Sequence, residues 1–79
     1  MKRRPWLRVG RNVFYYPPEA PDEARAALVI EVYDPADPFS IVALAIFLPA
    51  FTRREPVVRY GPHQPGCWGY TDDEERENA

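Results

Sequence analysis

Ten prolines spread through 79 residues are the strongest constraint on this chain. They stand at positions 5, 17, 18, 21, 35, 38, 49, 56, 62 and 65. Each fixes φ and removes a backbone donor, so a helical bundle is excluded. The chain is cut into short segments separated by turns, the pattern of a small all-β domain. Hydrophobic residues make up 46% of the sequence, which argues against intrinsic disorder. The length allows one domain, near the lower size at which a single core suffices.

The segments between prolines predict five strands. The first covers residues 9–16, with Val13 and Tyr15 on one face and Phe14 and Tyr16 on the other. An acidic loop over 19–25 comes next, with at most one helical turn at 22–25. The second strand, 26–33, places Leu28, Ile30 and Val32 on one face and Ala27, Val29 and Glu31 on the other. Asp34 and Asp37 each precede a proline and predict Asx-type turns. Residues 40–48 form the third strand and 57–60 the fourth, with 49–56 a loop between them. Residues 61–66 are a turn-rich crossing, and 67–70 close the domain. Five short strands with Pro-rich turns predict an SH3-like barrel over 9–70. A basic lead-in (1–8) precedes it, and a disordered acidic tail (71–79) succeeds it.

The third strand is apolar on both faces. Val42, Leu44, Ile46 and Leu48 share one face; Ile41, Ala43, Ala45 and Phe47 share the other. No helix is available to cover the second face. Ala43, Ala45 and Phe47 are therefore expected to contact another copy, and the chain is expected to be a homo-oligomer.

Cys67 is the lone cysteine, so an internal disulfide is excluded and a reducing compartment fits. The start is charged and has no apolar signal core. The apolar run 41–48 is too short to span a bilayer. A soluble, cytoplasmic protein without membrane attachment is expected.

Charge is unevenly distributed. Residues 72–77 hold five carboxylates against Arg76, whereas residues 1–70 hold nine basic and seven acidic groups. The acidic tail would compete with phosphates for the same arginines, which argues against nucleic acid as a partner. Catalytic groups are scarce: His63, Cys67 and Ser40 are the single representatives of their types. A Cys67/His63 pair lacks an orienting third group, and a metal site needs more ligands than these. The chain is expected not to be an enzyme and to need no cofactor or metal. Glu31, among apolar neighbours, is expected to pair with Arg59 or Arg11 on an adjacent strand.

Aromatic and guanidinium groups form the most plausible binding constellation: Arg11, Tyr15, Arg53, Arg59, Tyr60, Trp68 and Tyr70. A base stacked on an aromatic ring gains about 1–3 kcal/mol, and arginine forks hold phosphate. The same rings would equally serve to close a barrel core. Trp68 and Tyr70 pose that choice most sharply, because they are two residues apart beside glycines.

The order of motifs resembles a group of small phage-encoded proteins common among actinobacterial phages. Val9-Gly10-Arg11-Asn12-Val13-Phe14-Tyr15 fits that group's opening Val-Gly-Arg-x-Val-x-Tyr. Ala26-Ala27-Leu28-Val29-Ile30-Glu31-Val32 resembles its middle segment, and residues 42–47 its hydrophobic strand ending in Phe. Val58-Arg59-Tyr60, a Pro-rich spacer and Gly66-Cys67-Trp68-Gly69-Tyr70 fit its close. Cys67, Gly69 and Tyr70 depart from the group's Thr, His and Trp. The resemblance implies, at the level of class, an anti-defence sponge that sequesters a nucleotide immune signal in the infected cell's cytoplasm. A protein-interaction module is the alternative from SH3-like surfaces, and single-stranded nucleic-acid binding is the third reading.

Overall fold

The computed structural model describes residues 7–71. The expected acidic tail beyond Thr71 and all but the last two residues of the basic lead-in lie outside them. Five strands form a closed barrel: β1 (Asn12–Tyr16), β2 (Arg25–Val32), β3 (Val42–Phe47), β4 (Thr52–Tyr60) and β5 (Cys67–Gly69). The expected SH3-like class is what the chain adopts. Among the described residues, no helix is long and apolar enough to cross a membrane.

Successive strands pair antiparallel from β1 to β4, and β5 returns antiparallel to β1. Closure comes from a short parallel contact, Arg59 opposite Cys67 and Tyr60 opposite Trp68. Alternation puts one face of each strand inside. Val13 and Tyr15 of β1, Ala27 and Val29 of β2, and Val42, Leu44 and Ile46 of β3 are all buried. Val58 and Trp68 complete the core.

Two bulges re-aim this pattern. One shifts the β2–β3 register between Val29 and Glu31; the other shifts β3–β4 between Val42 and Leu44. Each inserts one residue and flips the parity of the strand beyond it. In β2 the inward residues are therefore Ala27 and Val29, then Val32, which packs on the core while Ile30 is exposed. The expected grouping of Leu28 and Ile30 with Val32 on one face fails for this reason. Glu31 is exposed and lies opposite Ala43, not opposite the arginine expected to pair with it.

Strand limits also differ from expectation. Val9 and Gly10 form a turn, with Gly10 at φ 92°, so β1 starts at Asn12. Residues 22–25 make no helical turn; bonds from Ala20 N to Pro17 O and Glu23 N to Ala20 O fold the loop instead. The fourth strand is nine residues long and absorbs half of the expected 49–56 loop. Pro56 is tolerated there because it sits where the register shifts and a ladder donor is not required.

The loop from β2 to β3 is tied by its side chains, as its aspartates predict. Asp34 Oδ1 accepts from Ala36 N at 3.2 Å and Asp37 Oδ1 from Phe39 N at 2.9 Å. Buried Ser40 accepts from Asp34 N at 2.9 Å and donates to Ile41 O at 2.7 Å. Ser40→Ala removes both bonds and strands the Asp34 donor. The expected loss is about 1–3 kcal/mol in a denaturant titration.

Candidate functional site

The aromatic residues resolve the choice posed by the sequence. Trp68 is 0% exposed, Tyr70 1% and Tyr15 5%. Trp68 meets Tyr60 edge-on at 4.9 Å and Tyr70 at 5.0 Å, the T-shaped arrangement favoured by ring quadrupoles. Phe39 packs on Tyr60 at 4.7 Å from the outside. The polar tips are also engaged: Trp68 Nε1 donates to Ser40 O at 3.0 Å, and the Tyr70 hydroxyl donates to Pro38 O. These rings clasp the 34–40 loop onto the barrel. Tyr15, Trp68 and Tyr70 thus have no ring face to offer a base, which corrects their expected role as stacking surfaces. Tyr60 is half-buried within the same cluster.

The arginines expected to join them do not converge. Arg11 lies over the Tyr70 ring, 5.5 Å from its centroid, a cation–π contact at the mouth of the core. Arg59 is exposed on the outer face, between inward Val58 and Tyr60. Arg53 and Tyr15 come together in one cleft. Arg53 stands opposite Ile46 and so points to the inside of the barrel at its end. Tyr15 stands opposite Arg25, also on the inward side.

Those three residues, with Pro17, Glu19, Ala20, Ile46 and Leu48, line a cleft of about 120 Å³ at that end. Arg53 is paired with Glu55 at 2.5 Å. The Arg25 Nε is buried and makes no hydrogen bond. Burial, reinforced by the Glu55 charge and opposed by Arg53, raises the Tyr15 pKa above the ordinary tyrosine value. The hydroxyl is therefore a neutral donor at physiological pH. The folded state holds this proton more tightly than the unfolded chain, so the associated stability is complete below about pH 10 and declines above it. Tyr15→Phe is expected to flatten part of that alkaline loss in melts recorded from about pH 8 to 11.

Arg25 and Glu19 are not among the residues that the sequence singles out. Arg25 shares strand parity with buried Ala27 and Val29, and that parity is the signal that places it inward.

The second feature is the edge of β4. Residues 52–55 pair with β3 on one side. On the other side β4 is joined to β5 only at Arg59 and Tyr60. Among the described residues nothing pairs with the 52–57 stretch there. Phe51 and Val57, which flank it, are 61% and 62% exposed. Prolines in 49–56 disguise this edge as a loop.

The expected oligomer face is only partly available. Phe47 is 47% exposed, but Ala43 is 5% exposed and has almost no surface to give. The Tyr33 hydroxyl donates to Pro56 O at 2.7 Å. The His63 ring packs on Tyr16 at 4.9 Å, and the Cys67 thiol contacts Pro65 O at 3.6 Å. Among the described residues, no group of three or more His, Cys, Asp or Glu side chains is placed to hold a metal.

The architecture therefore defines a small five-stranded barrel with one open strand edge beside a small end cleft. No protein-family model matches the sequence, and no curated protein or solved structure matches it either.

Proposed function

We propose that this protein is a non-enzymatic docking module that takes an extended segment of another protein onto the β4 edge by strand addition. The observation that carries this reading is residues 52–55, which among the described residues pair with β3 alone. A free edge presents a row of backbone donors and acceptors that another strand satisfies. Pro56 and the adjacent register shift limit the addition to about residues 52–55. Arg53 and Arg54 there discourage indiscriminate aggregation, the usual use of charge on an edge.

This reading is preferred to nucleotide sequestration because the flat rings needed for stacking are spent on the core. The end cleft is small beside the about 300–1,000 Å³ of small-molecule pockets, and the roomier cleft of about 460 Å³ beside Arg8 and Arg11 is lined by no aromatic ring. The phage-like resemblance fits either role, since a docking module and a sponge are both binders without turnover.

The test is capture of a stoichiometric partner from an actinobacterial lysate, with hydrogen exchange then measured on the complex. Protection gained over residues 52–55 is expected. A captured partner whose protection maps to residues 61–69, or a second copy of this chain in its place, contradicts the proposal.

A further inference from the structure

We infer that the cleft beside the β4 edge is a carboxylate-binding pocket, which reads an acidic side chain carried by the docked segment. The inference rests on the strand-addition reading for its source of ligand, but the pocket itself stands on separate observations. The cleft presents an excess of donors. Arg25 brings five N–H groups, and its buried Nε is unsatisfied. Tyr15, kept neutral by burial, adds a hydroxyl. Arg53 spends part of its fork on Glu55 and retains further N–H groups. Against these stand Glu19, exposed at the rim, and Glu55, already paired.

An acceptor with two oxygens in one plane suits this set. A carboxylate meets a guanidinium through two parallel bonds, and charge-assisted bonds of this kind are about twice as strong as neutral ones. Size points the same way. The cleft of about 120 Å³ has room for a carboxylate and its adjoining carbon. Ile46 and Leu48 supply an apolar floor for that carbon. Position agrees with both. Arg53 belongs to the free edge and to the cleft lining alike, so a strand laid on residues 52–55 passes the mouth of the pocket.

The experiment is an NMR titration of the full chain, tracking the Arg25 Nε–H signal at constant ionic strength. Sodium acetate is the free-acid probe, and a blocked Gly-Asp-Gly peptide is the side-chain probe; sodium chloride is the control. Saturable shifts of the Arg25 signal are expected with both carboxylates and not with chloride. Tighter binding of the peptide assigns the pocket to a partner's acidic residue; tighter binding of acetate assigns it to a free acid and overturns the docked-segment source. Arg25→Lys keeps the charge but loses the fork, and is expected to weaken carboxylate binding about tenfold or more, read in that variant from the Arg53 Nε–H signal. Tyr15→Phe, which leaves the guanidinium in place, is expected to weaken it several-fold. Shifts that appear equally with chloride, or that persist unchanged in both variants, overturn the pocket. That failure would leave the edge reading intact, because exchange protection over residues 52–55 is read independently of acetate.

Discussion

Trp68→Ala is expected to lower the unfolding free energy by about 3–5 kcal/mol, measured by urea titration with circular dichroism. The side chain is fully buried and touches Tyr60 and Tyr70 edge-on. It is the largest of the fully buried side chains among the described residues. A domain of this length holds about 4–12 kcal/mol in total, so the loss takes a quarter or more of it. Trp68→Phe separates two contributions. It keeps most of the ring contact but orphans the Ser40 carbonyl, which accepts from the indole N–H. Its expected loss is about 1–3 kcal/mol. Were Trp68 a ligand platform, Trp68→Ala would fold normally and lose only binding.

Leu44→Ala is expected to lose about 2–5 kcal/mol by the same measurement. Leu44 is 0% exposed at the middle of β3, with Val29 opposite on β2 and Glu55 opposite on β4. Neighbouring strands cannot close on the void without breaking both ladders. Phe47→Ala, three residues on but facing outward, is expected to change stability by less than about 1 kcal/mol. The contrast reads the alternation of β3 directly. Equal losses at the two positions would contradict it.

How far the sequence leads can be judged element by element. Proline spacing and the runs around Val13, Val29 and Leu44 are enough to place five strands and a barrel. The inward set of β3 comes from strict alternation, because no irregularity interrupts residues 42–47 on that strand itself. Alternation fails where bulges intervene, and nothing local in Val29-Ile30-Glu31 announces one. Pro49 and Pro56 hide the β4 strand, since a proline at a register shift looks in sequence like a proline in a loop.

The candidate site is less legible than the fold. Aromatic residues that suit stacking are the same residues that fill a small core, and composition does not separate the uses. In a chain this short the core takes precedence: burying Trp68 and Tyr70 supplies apolar contact that no helix is present to provide. Tyr15 and Arg53 stand out in the sequence, but as parts of a scattered surface rather than one cleft. Their partner Arg25 becomes visible only once β2 begins at that residue and its parity is fixed.

Flat rings that close the interior and a bare strand edge that does the binding differ in how fast their protons exchange. Amide and indole hydrogen exchange on the isolated chain, read by NMR, separates the two in one experiment. The Trp68 indole N–H is expected to exchange only through global opening, whereas alternate amides over residues 52–55, those turned away from β3, exchange at the rate of free peptide. Rapid exchange of the indole, or strong protection of every amide along that stretch, would refute this division of labour.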